Sequence, residues 1–419
     1  MDKFVVYKSS LQGEVEISGS KNACLPIMAA TLLTDEECKI FGVPDLTDVR
    51  TMIKILEILG KKIVFEDGVL VIKTKNTKSC VAPYRLVRTM RASFCCLGPL
   101  LAKRGRAKVS LPGGCVIGPR PVDLHIKGLR ELGANIRIDK GYCIGETKGL
   151  RGKRIFLGGN FGSSVLATAN VLMAASLAEG ETVIECAACE PEIEDLVRFL
   201  KKMGADIQGE GTPIIRVRGV KCLQGGEIKS IPDRIEAGTF IAAGLATNSS
   251  IKLRNVQPLH LTSVIEKVRE IGGEVEVDNS QISLHSRGYI SPTEITTFPY
   301  PGFPTDLQSQ FMSVLSIGKG ISLITEKVYP DRFMHVSELN RMGAHIKRQG
   351  PYAIVEGVER IYGAEVMASD LRASAGLVIA GLVAEGKTEV HRVYHLDRGY
   401  ERLEEKLKKL GARIKREKQ

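Results

Sequence analysis

The segment LEILGKKI at Leu56–Ile63 decides the fold, because it returns five times along the chain. The copies are LRELGANI at Leu129–Ile136, LKKMGADI at Leu200–Ile207, VREIGGEV at Val268–Val275, LNRMGAHI at Leu339–Ile346 and LKKLGARI at Leu407–Ile414. Apolar residues three apart before the glycine read as the last turn of a one-sided helix. The glycine falls where that helix must end in a left-handed cap, and the alternation after it predicts a strand. Gly60, Gly133, Gly204, Gly272, Gly343 and Gly411 are separated by 73, 71, 68, 71 and 68 residues, so six units of about 70 fill the chain.

A second element recurs between these copies: an Ala- and Gly-rich helix, a short turn, then a strand. It reads AATLLTDEECKI from Ala29, LGPLLAKRGRAKV from Leu97, AASLAEGETVI from Ala174, AAGLATNSSIKL from Ala242, SVLSIGKGISLI from Ser313 and IAGLVAEGKTEV from Ile379. Such helices lack a strongly polar face, which predicts that they lie inside, surrounded by other elements. Three units per domain is the expected grouping, with QGGEIKSIPD at Gln224–Asp233 as the connection. The first domain is expected at 21–229, carrying Cys115, and the second at 1–20 together with 230–419, with the site in the cleft between them. The opening strand material thereby joins the sheet of the distant half.

Composition narrows the function. The 419 residues are 43% hydrophobic and 26% charged, the balance of a folded globular chain rather than a disordered one. Lys and Arg outnumber Asp and Glu by 59 to 48, a net charge of +11 that suits anionic partners. Eight Lys or Arg against four Glu in 401–419 account for +4 of it, read as a solvated helix and strand. Trp is absent and aromatics are 5%, so stacking on single-stranded bases is disfavoured. No run reaches the 18 apolar residues of a membrane span, the start shows no signal-peptide core, and a cytoplasmic protein is expected. Ten cysteines are scattered, with a single C-x-x-C at Cys186–Cys189, no second one to pair with it and no nearby histidines, so thiols and no metal site are expected. A clamp around DNA would repeat lysines on one face of every unit, whereas here the unusual residues occur once each, at loops.

Five segments carry them. In ISGSKNACLP, Lys21 and Asn22 precede a buried helix, either as a capped turn or as an anion site made of a lysine and free helix amides. In RTMRASFCCLGP, Arg88 and Arg91 are three apart on one face, with Cys95 and Cys96 as core residues behind them. In SLPGGCVIGPRPVDLHIKGLRELG, Cys115 follows two glycines, and a thiol near cations is a candidate acid, base or nucleophile. Arg120 stands between two prolines that stiffen its backbone, and Asp123 is placed to cap the following helix. In YPGFPTDLQSQFMSV, Asp306 is either a helix cap or a carboxylate facing substrate. The fifth set, ASDLRASAG and YHLDRGYE, places Asp370, Arg372 and Arg398 as candidate acid and anion clamps. The segment GLVAEGKT at 381–388 has the spacing of a P-loop, but it ends a helix and opens a strand, the reverse of the strand-to-helix order a P-loop needs; no GxGxxG turn, serine elbow or HExxH segment is present.

In this order, ISGSKNACLPIMAATLL, TMRAS, LPGGCVIGPRPVDLHIKGLRELGA, EPEIEDL, PDRIEAGTF, GFPTDLQSQ, RFMHVSELNRMGA, SDLRASAGLVIAG and HLDRGYE resemble the enolpyruvyl transferases over the whole chain. The resemblance implies an inside-out α/β barrel of two domains, each built of three βαβαββ units with internal helices. It implies transfer of the enolpyruvyl group of phosphoenolpyruvate to an acceptor hydroxyl through a tetrahedral ketal, with release of phosphate and no metal or organic cofactor. The PGGC loop and the AACEPEIEDL and PDRIEAGTF segments fit an acceptor that is UDP-N-acetylglucosamine, reacting at its 3′-hydroxyl in the first committed step of peptidoglycan synthesis. The alternative acceptor is shikimate 3-phosphate. Neither nucleic acid, membrane nor an obligate protein partner is implied.

By the same resemblance, Cys115 is the loop thiol that donates a proton on the phosphoenolpyruvate side and the nucleophile that fosfomycin-type epoxides alkylate. Lys21, Arg91, Arg120 and Arg398, with Arg372 beside them, resemble the cations around phosphoenolpyruvate. Asp306 resembles the base for the sugar hydroxyl, and Asp370 a second carboxylate of the reacting centre. Asn22, Arg120, Pro121, Val122, Asp123, Leu124, Ser164, Val165 and Val328 resemble contacts to the nucleotide sugar. One departure stands out: SVLAT has Leu166 where relatives carry a glycine whose backbone approaches the diphosphate, which puts that contact in doubt.

As a turn residue, Cys115 should tolerate Asp and Ser alike; as a proton donor it should not. A serine hydroxyl is a far weaker acid than a thiol, whereas an aspartic acid still delivers a proton, with a pKa of about 3.9 against about 8.5. Cys115→Ser should be nearly inactive, Cys115→Asp active with a lower pH optimum, and neither should gain mass with fosfomycin. Phosphate release against pH, with intact mass after inhibitor treatment, checks this. An adduct on Cys115→Ser would move the chemistry to another residue.

Overall fold

The computed structural model describes residues 2–112 and 122–418, so Cys115, Arg120 and Pro121 lie outside the described residues. The chain divides into two compact units, with changes at Ser18/Gly19 and at Ile231/Pro232. The first unit takes the described chain from Gly19 to Ile231, and the second takes the chain up to Ser18 and from Pro232 onward. Each has its own apolar core.

Every repeated glycine performs the turn that its position demands. Gly60, Gly133, Gly204, Gly272, Gly343 and Gly411 have φ between +94° and +106°, a backbone region costly for a residue with a Cβ. The helices Thr47–Ile58, Asp123–Glu131, Pro191–Lys202, Thr262–Glu270, His335–Arg341 and Leu403–Lys409 end just before them, and strands follow. Between these lie the apolar helices Lys21–Ala30, Leu97–Arg104, Val165–Ala175, Arg234–Ala246, Gln308–Leu315 and Leu371–Val383. In Arg234–Ala246 every residue from Ile235 to Ala246 is buried, so with no polar face to offer water this helix is enclosed.

The described strands form six four-stranded sheets with one common order. In the sheet that contains Arg106–Ser110, that strand lies parallel to Val81–Ala82 and antiparallel to Tyr142–Glu146, which in turn pairs with Asn135–Asp139. Three sheets borrow a strand from far along the chain. Glu227–Lys229 runs parallel to Cys38–Phe41 in the first unit, and Gln12–Glu16 runs parallel to Ser250–Arg254 in the second. Asp2–Tyr7 lies between Lys387–His391 and Ile414–Lys418, with Phe4 opposite both Val390 and Arg416.

Arg416 corrects the reading of the tail as merely solvated. Its guanidinium donates to Asp397 Oδ2 and Oδ1 at 3.0 and 2.6 Å and to Glu404 Oε1 at 2.7 Å, and it lies 4.9 Å from the centre of the Phe4 ring. It ties the terminal strand to the first strand, to helix Leu403–Lys409 and to the turn that ends in Arg398.

In the first unit, internal helices meet through a buried asparagine. Asn170 Oδ1 accepts the Gly98 N–H at 2.6 Å, and its Nδ2 lies 3.0 Å from both Phe94 O and His125 Nδ1. The Nδ1 atom faces an amide donor, so it must keep its lone pair and the ring must be neutral. Burial, with Arg91 nearby, pushes the His125 pKa down from 6.5 to about 3. A Cβ on Gly98 would stand 2.2 Å from Asn170 O, on backbone with no room to yield.

Gly98→Ala should therefore cost about 1–3 kcal/mol through forced separation of the two helices. Differential scanning calorimetry should show a melting point lowered by several degrees, and an unchanged melt would mean that the helices separate freely. The imidazole gives a pH test with a definite sign. The unfolded chain takes up a proton near pH 6.5 and the folded protein only near 3, so the stability tied to a neutral His125 is lost as pH falls through that window. Urea unfolding at pH 7, 6 and 5 should show a steeper decline for the native protein than for His125→Gln, which accepts the same hydrogen bond without titrating.

Candidate active site

In the second unit, Asp306, Asp370 and Arg372 come together, and a residue that the sequence reading did not single out joins them. Asp306 lies in the short turn Thr305–Leu307 that leads into helix Gln308–Leu315. Its Oδ1 accepts from Arg332 Nη1 at 2.7 Å, and its Oδ2 accepts from Arg372 Nε at 3.2 Å. Of the two roles left open for Asp306, the helix cap is excluded: the turn has Pro304 at its cap position, and the carboxylate bridges two guanidiniums instead. Asp370 is the cap of its own helix, accepting the N–H groups of Arg372 at 2.7 Å and Ala373 at 3.1 Å, and lies 3.9 Å from Arg332 Nη2. Burying Arg332 and Arg372 disfavours their charge. Asp306 and Asp370 around the former, and Tyr400, Asp306 and Asp233 around the latter, reverse this and raise both pKa values above the ordinary arginine range.

Arg372 is 1% exposed, and its Nη1 has no hydrogen-bond partner among the described residues. A buried guanidinium N–H left open in this way is costly unless an acceptor arrives, and an anionic ligand is such an acceptor. Tyr400 supports the same group, with its ring centre 5.1 Å from the guanidinium carbon. Gln310 Nε2 links Tyr400 OH at 3.1 Å to the carbonyl of Asp306 at 2.9 Å. His335 is buried close by, and that burial lowers its pKa to about 4. Arg398 is half-buried at the end of the turn Val393–Arg398, and its charge, with burial, helps to depress the pKa of His395. Val328 is half-buried just beyond strand Ile321–Glu326.

In the first unit, Lys21 is the first residue of helix Lys21–Ala30, whose cap Ser20 accepts the Ala23 N–H. The lysine is 7% exposed and pairs with the buried Asp48 at 3.1 Å, while Asn22 beside it is half-buried. Ser164 caps helix Val165–Ala175, with Val165 and Leu166 half-buried in its first turn. The Cys95 thiol approaches the carbonyl of Leu166 at 3.8 Å, which brings the Arg91–Cys96 turn against this helix start. Leu166 packs its side chain on the core and sits in regular helix, so the position demands no glycine conformation.

Two local expectations are corrected. Arg88 and Arg91 do not share a helical face: helix Tyr84–Val87 ends before Arg88, Met90 is extended, and Arg91 opens a separate turn. Asp123 is not the cap of its helix. Val122 holds that position, and Asp123 is an exposed first-turn acid that complements the helix dipole, with Leu124 half-buried after it. Cys24, Cys38, Cys80, Cys95, Cys96 and Cys143 are buried as packing, and burial pushes Cys96 up to about 12, whereas Cys186 and Cys189 are half-buried and Cys222 is exposed. The residues missed, Arg332 and Asp48, were ordinary charges in sequence. For Arg332 a signal was available in RFMHVSELNRMGA, where an arginine opens a run of apolar residues. Among the described residues no group of three or more His, Cys, Asp or Glu is placed to hold a metal ion, and no helix is long and apolar enough to cross a membrane.

Comparison with known proteins places this geometry. The EPSP synthase (3-phosphoshikimate 1-carboxyvinyltransferase) family matches residues 5–407. The chain is 54% identical over 417 residues, 99% of both chains, to the UDP-N-acetylglucosamine 1-carboxyvinyltransferase of Methylacidiphilum infernorum. It is 54% identical over 419 residues, again 99% of both, to UDP-N-acetylglucosamine 1-carboxyvinyltransferase 2 of Carboxydothermus hydrogenoformans. The crystal structure of the enolpyruvyl transferase NikO from Streptomyces tendae shares the fold, with a TM-score of 0.89 at 22% identity over 99% of this chain and 98% of that one. Six glycine-capped repeats, two cores and full-length identity above one half agree: the chain belongs to the EPSP synthase family of enolpyruvyl transferases, beside its UDP-N-acetylglucosamine 1-carboxyvinyltransferase members.

Proposed function

We propose that the protein transfers the enolpyruvyl group of phosphoenolpyruvate to the 3′-hydroxyl of UDP-N-acetylglucosamine, releasing phosphate, as a committed step toward peptidoglycan. The observation that carries this reading is identity above one half along the whole chain with relatives of that name. The reaction is an addition followed by an elimination. The sugar oxygen bonds to C2 of phosphoenolpyruvate while C3 gains a proton, giving a phosphorylated ketal. Loss of a proton from C3 and of phosphate from C2 then restores the double bond.

The residues divide between these tasks. Asp306 takes the hydroxyl proton, and the two guanidiniums that hold both its oxygens fix the direction in which it can do so. Arg372, with an N–H to spare, and Arg398 stabilise the carboxylate and the departing phosphate, and Lys21 and Arg91 are assigned as further cations for phosphoenolpyruvate. Asp370 fixes the start of the helix that carries Arg372. Cys115 and Arg120, outside the described residues, are assigned the C3 proton and a phosphate contact. Asn22, Pro121, Val122, Asp123, Leu124, Ser164, Val165 and Val328 are assigned to the nucleotide sugar. No organic cofactor or metal takes part. A cytoplasmic setting is part of the proposal.

A phosphate-release assay with phosphoenolpyruvate should respond to UDP-N-acetylglucosamine and not to shikimate 3-phosphate, and the reverse preference would reassign the acceptor. Asp306→Asn should slow turnover by roughly 10²–10⁴, the usual contribution of a positioned base. It also leaves Arg332 and Arg372 with one carboxylate fewer between them, so calorimetry should find a lower melting point even where all the protein is folded at 25 °C. Normal turnover would remove Asp306 from the chemistry.

A further inference from the structure

Glu326 is fully buried at the end of strand Ile321–Glu326, and both carboxylate oxygens are occupied by groups that border the site. Its Oε1 accepts from Thr297 Oγ1 at 2.6 Å and from the N–H groups of Val328 and Tyr329, both at 2.9 Å. Its Oε2 accepts from Thr305 Oγ1 at 2.9 Å. Thr297 Oγ1 in turn accepts the Lys327 N–H at 3.0 Å, so three successive amides of the turn after the strand end on this one pair of side chains. Thr305 Oγ1 also accepts from Arg332 Nη1 at 3.1 Å, the same nitrogen that holds Asp306. Arg332 is tied back to the turn by its own N–H, which donates to Tyr329 O at 2.8 Å.

Taking a carboxylate out of water is unfavourable by several kcal/mol unless it is bonded throughout. Here four donors fill its acceptor sites, and none belongs to a helix or sheet ladder. Two come from the turn that presents Val328, and one from the hydroxyl that links Glu326 to the Arg332–Asp306 pair. A purely structural strand end would need no such reach to both sides.

We infer that Glu326 is a positioning residue for the transfer: it sets the turn at Val328 for the nucleotide sugar and, through Thr305 and Arg332, the orientation of the Asp306 carboxylate. This rests on the proposed reaction. It touches neither substrate and acts through those neighbours, so its two effects separate kinetically. Thr305→Val, which keeps shape but removes the hydroxyl, should lower kcat about tenfold and leave KM for UDP-N-acetylglucosamine within twofold; Thr305→Ser should restore kcat. Glu326→Gln should lower kcat by roughly 10- to 100-fold, the order expected when a reacting group is displaced by about 1 Å, and raise that KM several-fold. The double variant should be no slower than Glu326→Gln alone, because both act along one path.

The measurements are initial rates over both substrates, calorimetric binding of UDP-N-acetylglucosamine, and melting curves of each variant. Native protein that transfers the enolpyruvyl group, together with Glu326→Gln and Thr305→Val that turn over at its rate, would overturn this inference alone. So would losses explained by a reduced folded fraction, or kinetic effects that simply multiply in the double variant. Native protein that does not use this substrate pair would overturn the reaction, and the inference with it.

Discussion

A helix that is apolar on every side has to be enclosed, and this requirement organises each unit. Six largely buried helices lie among the described residues, and the glycine-capped helices and four-stranded sheets are what covers them. The sequence meets the requirement with small residues where helices touch. Gly98 meets the backbone of Asn170, and Gly376 comes so close to Ser309 that a Cβ there would stand 2.8 Å from its carbonyl oxygen. Close approach of that kind leaves little room for long charged side chains along the helices, so the candidate charged groups lie at their ends.

That confinement explains where the candidate residues lie. Lys21 opens the first internal helix, Ser164 caps the third, Asp306 stands in the turn before the fifth, and Asp370 caps the sixth with Arg372 in its first turn. Helix starts offer unpaired N–H groups and the positive end of the dipole, the environment that a substrate bearing phosphate and carboxylate requires. Asp370 shows the principle acting within the protein, since its carboxylate takes the two amides that would otherwise face solvent or ligand. In the second unit the charges are then interlocked, with Asp306 shared by two buried arginines and Arg332 shared between two aspartates.

The repeat was readable because a helix stop that needs φ near +100° leaves a glycine, and six glycines at nearly equal spacing can be counted. Residues whose role depends on local chain geometry were readable to a similar degree: Lys21 at a helix start, and Asp370 before Leu371. Errors arose where one residue of backbone decides the outcome. The extended Met90 separates Arg88 from Arg91, and Val122 rather than Asp123 takes the cap. Asp48 and Arg416 were not legible, because the partners described for them lie a dozen to hundreds of positions away. Arg416 and Asp2 are 414 positions apart, and no local pattern encodes a bond of that range.

The borrowed strands give the chain a timetable. The first unit needs nothing beyond Ile231, since Glu227–Lys229 closes its opening sheet; it can therefore finish folding while the remainder is still being synthesised. The second unit includes Asp2–Tyr7, a strand whose two neighbours, Lys387–His391 and Ile414–Lys418, are made hundreds of residues later. Throughout that interval the strand must wait with both edges unpaired, an invitation to pair with the wrong partner. The nascent chain thus carries an aggregation hazard in this strand, and the hazard ends only when Ile414–Lys418 arrives.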